Sequence, residues 1–240
     1  MDIGLVELDG FNLKIDDVHN IARNNWKVSV TPDAVARINE SHKTLLSLAS
    51  SEVPLYGINT GFGSFSSIKL EQSQMAQLSR NIVLSHACAF GEPLSNDIVR
   101  AAMLIRINSF ATGRSGVSMQ VVETLVNMLN KGVTPVVPSY GSLAASGDLC
   151  LLSHVALCMC KADNIEGDTG EEYKVYYGGK VCAASEAMAL ALICASILCG
   201  LPSVPAGSGR VTDDTSPSAM SRPPFVVPDW GSVVKVGARC

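Results

Sequence analysis

The sequence predicts a mainly α-helical protein with one small β-hairpin. Four segments place apolar residues at helical spacing between recognisable helix start and stop residues, whereas one segment has the pattern of a hairpin. The chain has 240 residues, and 47% of them are hydrophobic. That is ample for one sizeable core or two small ones. We therefore expect helices to supply most of the core.

The first predicted helix begins at Thr31-Pro32-Asp33, which supplies an N-cap, a proline at the first helical position and an early acid. Apolar residues behind this start recur at helical spacing, at Val35, Ile38, Leu45, Leu46 and Leu48. A second helix is predicted over residues 71–89. Its predicted buried residues are Met75, Leu78, Ile82 and Val83.

Two further helices are predicted between residues 95 and 132. One starts at the Ser95-Asn96-Asp97 cap and ends before Gly113, and the other stops at Gly132, with Pro135 behind it. The apolar residues of the former are Ile98, Val99, Ala102, Met103 and Ile105. Those of the latter are Val121, Val122, Leu125, Val126 and Leu129.

Beyond these helices the pattern changes. Residues 173–177 and 180–182 flank Gly178-Gly179, which predicts a hairpin with a two-residue turn. Residues 187–199 are apolar all round, but thirteen residues are too few for a membrane span, so we expect a buried helix. From Pro202 onward, six of the eleven prolines are mixed with Ser, Gly and Asp without a period, which predicts an irregular tail.

Charge and cysteine usage narrow the functional classes. A net charge of −4 with 17% charged residues provides no basic patch, so no nucleic-acid partner is expected. Three acids interrupt the first ten residues, unlike a secretory signal, so we expect a cytoplasmic protein with no membrane partner. No cysteine spacing predicts a metal site. The cysteines expected to pack as small buried hydrophobes are Cys88, Cys158, Cys160 and Cys194.

The first candidate for chemistry is the small-residue segment at residues 141–148, Gly-Ser-Leu-Ala-Ala-Ser-Gly-Asp. Taken alone it would be a turn that starts a helix, with Asp148 near the helix N-terminus. It is not a nucleophile elbow, because Ala144 and Asp148 stand where that motif has glycines. It is not a Walker loop either, since no Gly-Lys-Ser/Thr follows.

The second candidate is the glycine-rich cluster at residues 56–63, Tyr-Gly-Ile-Asn-Thr-Gly-Phe-Gly. Its three glycines mark a loop whose backbone adopts unusual dihedrals or moves. Taken alone it would be a turn with a packed tyrosine. A dinucleotide fingerprint does not fit, because Ser66 occupies the last glycine position and no apolar strand precedes the cluster.

Four motifs in a fixed order carry a family resemblance. They are Tyr56 with its glycine loop, Leu84-Ser85-His86-Ala87, Arg106-Ile107-Asn108-Ser109, and residues 141–148 with Ser153-His154. From about residue 13 to 187 the chain resembles the histidine ammonia-lyase family and its aromatic relatives. The resemblance implies an ammonia-lyase-like N-terminal domain over residues 1–200, and a Pro/Ser-rich tail unlike the family over residues 201–240.

In that family three consecutive residues become a methylidene-imidazolone electrophile, so no external cofactor is required. The resemblance assigns this role to Ala145, Ser146 and Gly147. The glycine nitrogen attacks the alanine carbonyl, and the serine loses water. Glycine suits the attack because it lacks a Cβ. Ordinary side chains are nucleophiles or acids, which explains why such an enzyme makes its own electrophile.

The resemblance also assigns roles outside the triad. Tyr56 matches the family's catalytic tyrosine, which takes the β-proton and needs a positive environment to lower its pKa from about 10. The loop expected to close over substrate contains Gly57, Asn59, Gly61 and Gly63. Ser85-His86 resembles the substrate-binding pair of histidine lyases, because a histidine can hydrogen-bond an imidazole and a leucine cannot.

The implied reaction belongs to histidine breakdown: L-histidine loses ammonia without oxidation and gives trans-urocanate, in a homotetramer. A phenylalanine or tyrosine lyase, or an aminomutase with the same electrophile, are the alternatives. Ala144 and Leu151 depart from the family's usual glycine and proline, and either change could slow cyclisation.

The chain is also shorter than family members. It contains no downstream Gln-x-x-Tyr-x-x-Arg segment, so we expect a truncated chain that lacks most of the central helical bundle. Missing substrate anchors would forfeit the orientation that the elimination needs. Expressed alone, such a chain is expected to fold poorly and to lack lyase activity. This predicts a second class of function, an inactive form that associates with full-length subunits.

Overall fold

The computed structural model describes residues 4–63, 66–70, 72–142, 149–160 and 173–184. About half of these residues are helical. The helices are α1 (Ile15–Asn24), α2 (Pro32–Ala49), α3 (Gln72–His86), α4 (Asn96–Ala111), α5 (Met119–Lys131) and α6 (Cys150–Leu157). The strands are β1 (Leu5–Leu8), β2 (Lys27–Val30), β3 (Phe90–Pro93), β4 (Thr134–Pro135), β5 (Pro138–Tyr140), β6 (Lys174–Tyr177) and β7 (Lys180–Ala183).

The four predicted helices are confirmed as α2 to α5. Thr31 caps α2, and its Oγ1 accepts a hydrogen bond from the Ala34 N–H at 3.4 Å. Gly132 ends α5 in the left-handed conformation with φ 74°, which glycine adopts without steric cost. Ser95 precedes α4 as expected, but its hydroxyl donates to Asp97 Oδ1 at 2.6 Å.

The prediction for α3 needs correction at its end and on its buried face. The helix stops at His86, three residues before the predicted end. Of the four residues predicted to be buried, Met75 is buried, whereas Leu78, Ile82 and Val83 are half-buried. The expected burial therefore holds for one residue of that face.

The core is built around α4, which packs against α1, α2 and α5. The most enclosed side chains of α4 are apolar, as the hydrophobic effect requires: Val99, Met103, Leu104 and Ile107. Two apolar residues of the same helix, Ile98 and Ile105, are exposed.

One charged residue, Arg100, is buried in this core. Its guanidinium donates to the carbonyl oxygens of Ile21 at 2.8 Å, Ala22 at 3.2 Å and Leu129 at 3.1 Å. These carbonyls lie in the last turns of α1 and α5, where helices leave acceptors without intrahelical donors. Desolvation lowers the pKa of Arg100. Arg100 therefore joins the ends of two helices.

The first two strands form a parallel pair that the sequence analysis did not predict. Strand β1 pairs with β2 from Leu5 opposite Lys27 to Leu8 opposite Val30, and α1 makes the crossover. The side chain of Asn130 hydrogen-bonds both backbone groups of one residue of β2, Val28. Its Oδ1 accepts from the Val28 N–H, and its Nδ2 donates to the Val28 carbonyl, both at 2.8 Å.

The predicted hairpin is confirmed as β6 and β7. Tyr177 pairs with Lys180, and the turn between them has Gly178 at φ 58° and Gly179 at φ 78°, both in the left-handed region. Strand β4 adds to the other side of β6, and β3 pairs with β5 in an antiparallel sheet. These short additional strands were not predicted.

None of the helices in the described ranges is long and apolar enough to cross a membrane. The buried helix expected at residues 187–199 and the irregular tail expected at residues 201–240 lie outside the described residues. Both stay predictions.

Candidate active site

The triad Ala145-Ser146-Gly147 lies outside the described residues, but both flanks of its segment are described. Gly141 precedes it and packs tightly. A Cβ on Gly141 would lie 3.0 Å from Ala89 Cα and 2.6 Å from Cys150 Sγ, and the glycine has φ 154°. Only a residue without a side chain fits this approach. The close packing places the flanks of the segment beside the chain that follows α3.

His154 on α6 also contacts the chain that follows α3. Nε2 of His154 accepts a hydrogen bond from the Ala89 N–H at 3.2 Å. Burial lowers the pKa of His154, so the neutral form that can accept this bond is favoured. On the same helix, the Ser153 hydroxyl donates to the Leu149 carbonyl at 2.6 Å. The Ser153-His154 motif therefore positions backbone in this structure.

Ser85 and His86, the predicted substrate-binding pair, lie in the last turn of α3. Nδ1 of His86 is 2.7 Å from the Ile82 carbonyl oxygen, which can only accept, so Nδ1 carries the proton. In the neutral ring Nε2 is then an acceptor. The Ser85 hydroxyl donates to the same carbonyl at 2.9 Å and lies 3.2 Å from His86 Nδ1.

Tyr56, the predicted catalytic base, is 64% exposed. Its ring meets the edge of Phe62 with centroids 5.7 Å apart and planes at 74°. The next residue, Gly57, has φ 73°, and a Cβ there would lie 3.3 Å from the Phe62 ring. Gly63, at φ 57°, also occupies the left-handed region. The phenol is therefore accessible on a turn shaped by glycine.

The buried Asn59 braces this turn from inside. It is 0% exposed, and its Oδ1 accepts from the Leu55 N–H at 2.7 Å. Its Nδ2 donates to the carbonyls of Ser51 at 3.2 Å and Val53 at 2.9 Å. The amide side chain thus bonds three backbone groups of the loop, of which the Val53 carbonyl also accepts from the Ser51 hydroxyl at 3.2 Å. Asn59 was predicted as a lid residue, and its bracing contacts were missed.

Neighbouring residues hold the turn to a second segment. The Thr60 hydroxyl lies within hydrogen-bond distance of the Gly57 N–H, at 3.3 Å. Backbone bonds run from the Gly61 N–H to the Ile68 carbonyl at 3.2 Å and from the Leu70 N–H to the Asn59 carbonyl at 2.9 Å. The predicted lid residues Gly61 and Asn59 are thus tied to the chain beyond the loop.

The third motif, residues 106–109, makes packing contacts. Ile107 is fully buried, and the Asn108 side chain accepts from the Gly10 N–H at 3.1 Å. The guanidinium of Arg106 lies 5.3 Å from the Phe110 ring centroid. The Asn108 contact fixes the loop after β1, whereas the Arg106 contact lies within α4.

Cys88 corrects an expectation, because it is exposed instead of buried. Cys158 is buried as predicted, and burial raises the pKa of its thiol to about 12. Within the described ranges no cluster of three or more His, Cys, Asp or Glu side chains could hold a metal ion.

Comparison with known proteins places the chain in a family. The family profile described as aromatic amino acid lyase matches residues 13–197. A histidine ammonia-lyase of Treponema denticola is 44% identical over 200 residues, which are 83% of this chain and 38% of that protein. A histidine ammonia-lyase of Caldanaerobacter subterraneus is 42% identical over 183 residues, 76% of this chain and 34% of that protein. The chain thus spans little more than a third of these relatives.

Solved structures agree with this placement. Ergothionase from Treponema denticola superposes with a TM-score of 0.71 at 28% identity, over 79% of this chain and 36% of that one. The Pantoea agglomerans phenylalanine aminomutase gives 0.70 at 27% identity, over 82% and 36%. Histidine ammonia-lyase from Trypanosoma cruzi gives 0.68 at 27% identity, over 79% and 34%. Since the family profile covers well over half of its residues, the chain belongs to the aromatic amino acid lyase family.

Proposed function

We propose that this chain is the electrophile-forming part of a histidine ammonia-lyase, which removes ammonia from L-histidine and leaves trans-urocanate. The observation that carries the proposal is the 44% identity to a histidine ammonia-lyase over a stretch that contains all four motifs. Because the chain spans little more than a third of such relatives, the proposal concerns its contribution to the complete enzyme.

In this proposal Ala145, Ser146 and Gly147 cyclise to a methylidene-imidazolone. The Gly147 nitrogen attacks the Ala145 carbonyl carbon, and two water molecules leave, one of them with the Ser146 hydroxyl. The group supplies an electrophile that makes the substrate amine a better leaving group. No external cofactor and no metal take part. Supporting the assignment, Gly141 and Cys150 pack against each other at the two flanks of the segment.

Tyr56 takes the β-proton of the substrate. Its phenol is exposed, while the turn beneath it is fixed by the buried side chain of Asn59. A base on such a turn keeps its position while remaining open to a ligand, which is what proton transfer from a bound substrate requires. Gly57 and Gly63 take left-handed conformations in the same loop, and together with Gly61 they would allow it to close.

His86 selects the substrate in this proposal, with Ser85 beside it. Because Nδ1 of His86 donates to the Ile82 carbonyl, Nε2 is available as an acceptor for the N–H of a substrate imidazole. A benzyl side chain offers no such donor. The proposal therefore favours histidine over phenylalanine, although a tyrosine hydroxyl could also donate. The enzyme acts as a homotetramer in the cytoplasm, as the family resemblance implies.

An aminomutase is the second candidate, since the phenylalanine aminomutase resembles this chain as closely in fold as the histidine lyase does. The two activities differ in product. A lyase yields urocanate and free ammonia, whereas an aminomutase returns the amine to the neighbouring carbon and releases none.

Intact-mass measurement of the folded protein tests the electrophile. We expect a mass lower than the sequence mass by two water molecules, and Ser146→Ala should abolish this deficit. Ser142→Ala is the matched control, because that serine lies in the same small-residue segment but outside the triad, and it should keep the deficit. A full sequence mass in protein that circular dichroism reports as folded would contradict the proposal.

Urocanate absorbance and ammonia release test the reaction. A complete enzyme that contains this chain's residues and carries the mass deficit should form both products from L-histidine in equal amounts. A deficit together with a β-amino acid product and no ammonia would favour the aminomutase.

A further inference from the structure

We propose that Cys88 and Cys150 form a redox-responsive disulfide site that joins the end of α3 to the start of α6. Their sulfur atoms are 3.9 Å apart, although 62 positions separate the residues in sequence. The inference concerns only these thiols and does not rest on the proposed lyase chemistry.

The two thiols differ in access to solvent. Cys88 is exposed, whereas Cys150 is 6% exposed. Reagents in solution therefore reach Cys88 first, and Cys150 is positioned behind it. An accessible thiol with a second thiol within reach is the usual arrangement of a reversible thiol oxidation site.

Local geometry allows the sulfurs to close the remaining distance. A disulfide needs about 2.05 Å between its sulfurs. Cys88 lies in the non-helical stretch between His86, where α3 ends, and Phe90, where β3 begins, so its backbone can adjust. Gly141 packs against both partners of this junction, because a Cβ built on it would lie 2.6 Å from Cys150 Sγ and 3.0 Å from Cα of Ala89, the neighbour of Cys88. The two thiols therefore lie where the chain segments are already in close contact.

A peroxide is the oxidant class that this arrangement suits. The Cys88 sulfur attacks one peroxide oxygen, the O–O bond breaks, and Cys88 becomes a sulfenic acid while water leaves. The Cys150 sulfur then attacks the Cys88 sulfur, the S–O bond breaks, and a second water leaves with the Cys150 proton. Two thiols are oxidised to one disulfide, and one peroxide is reduced to two waters.

The bond would fix a junction that hydrogen bonds already hold. Ala89, next to Cys88, donates to His154 on α6. A covalent link one residue earlier would prevent this junction from opening. It also lies close to both proposed functional segments, because His86 is two residues before Cys88 and Cys150 follows the segment that contains the triad.

Peptide mapping of the 240-residue protein after hydrogen peroxide treatment tests the site. Tryptic peptides 81–100 and 132–161 contain Cys88 and Cys150, and the second also contains Cys158 and Cys160. The C158S/C160S double variant therefore makes the assignment unique. We expect its two peptides to be linked, with a combined mass lower by two hydrogens and with both released by a reductant.

Cys150→Ser and Cys88→Ser should each abolish the link, and far-ultraviolet circular dichroism should show that both variants fold. Cys88→Ser changes an exposed residue, so it keeps the test valid even if the buried serine of Cys150→Ser disturbs folding. A link that survives in Cys150→Ser would overturn the proposal. Oxidation of Cys88 to the sulfinic acid in folded C158S/C160S protein would also overturn it. The same holds if Cys88 forms a disulfide with a cysteine other than Cys150. The two-hydrogen loss is distinct from the two-water loss of the triad, so either result can fail alone.

Discussion

The backbone N–H of Ala89 donates a hydrogen bond to Nε2 of His154 at 3.2 Å, and this bond joins the end of α3 to α6. A protonated imidazole has no acceptor nitrogen, so the contact exists only with neutral His154.

Stability should therefore fall as the pH is lowered through the ordinary histidine range. Burial lowers the pKa of His154 in the folded protein. Below about pH 6.5 the unfolded chain therefore binds a proton at this histidine more readily than the folded protein does, and proton binding stabilises the unfolded state. The contribution is complete above that pH and is lost below it. Urea unfolding midpoints measured across this range should fall less steeply for His154→Gln, which keeps an acceptor but does not titrate. His19→Gln, at an exposed position, should behave as wild type. Parallel curves for wild type and His154→Gln would refute this account.

Asn59→Ala should destabilise the Tyr56 loop. The change leaves the Leu55 N–H and the Ser51 carbonyl without the buried amide as partner, whereas the Val53 carbonyl keeps the Ser51 hydroxyl, and the expected cost is about 1–3 kcal/mol. Asn24→Ala removes an exposed asparagine side chain and should change the unfolding free energy by about 0.5 kcal/mol or less. Urea unfolding followed by circular dichroism measures both. Equal effects of the two substitutions would show that the brace contributes nothing.

Tyr56→Phe should separate catalysis from folding. The exposed hydroxyl can be removed without loss of packing, so stability and the two-water mass deficit should be unchanged. In the complete enzyme, loss of the proposed general base should lower kcat by about 100-fold or more and change KM little. Tyr177→Phe, in the hairpin, is the control and should keep full activity. A Tyr56→Phe protein with wild-type kcat would remove Tyr56 from the reaction.

His86→Leu should shift substrate preference from histidine towards phenylalanine and tyrosine. The substitution deletes the ring nitrogen that we propose accepts from the substrate imidazole, and it adds an apolar surface. In the complete enzyme, the ratio of kcat/KM for histidine to that for phenylalanine should fall by about 10-fold or more, the effect of one lost polar contact. Full retention of the histidine preference would mean that His86 does not determine which amino acid is preferred.

Arg100→Met should be the most destabilising of these substitutions. It removes the three guanidinium hydrogen bonds to the carbonyls of Ile21, Ala22 and Leu129, of which Leu129 keeps the Gly132 N–H, at a cost of about 3 kcal/mol or more. Arg23→Met removes the ion pair to Asp97, in which the arginine side chain is 62% exposed, and should have little effect. Chemical unfolding of both proteins measures the difference. Similar midpoints would show that apolar packing can replace the three bonds.

Local signals in the sequence were sufficient for several elements. Thr31 and Pro32 begin α2, Gly132 ends α5, and Gly178-Gly179 forms the hairpin turn, because each conformation depends on residues within a few positions. The order of the motifs was sufficient for the family.

Elements that depend on distant contacts were not predictable. Strand β1 has four residues and is stabilised by β2, which lies beyond α1. Strand β4 has two residues and exists because it pairs with β6, about 40 positions away. The burial of Arg100 had an available signal, since it lies three and four residues before the buried Met103 and Leu104.

The candidate site was predictable as a set of loops and not as a set of contacts. The buried amide of Asn59 cannot be recognised from its neighbours, because its partners are backbone groups that share no sequence signature. Cys88 was predicted to be buried because it stands in an apolar run, where a cysteine usually packs as a small hydrophobe. Since α3 ends at His86, Cys88 lies in the connection to β3, where its side chain meets solvent.

The two hydrogen bonds between Asn130 and Val28 have a consequence for self-association. An edge strand has unpaired N–H and C=O groups that can pair with a strand of another molecule, and natural proteins have features that prevent such pairing. Here the side-chain amide of Asn130 takes the place of a neighbouring strand and bonds both the N–H and the carbonyl of Val28. The side chain of Lys27 also donates to the Asn130 carbonyl and holds a positive charge at the same margin. A strand of another molecule would have to displace the Asn130 amide before it could pair with β2. These two hydrogen bonds therefore oppose aggregation through this edge.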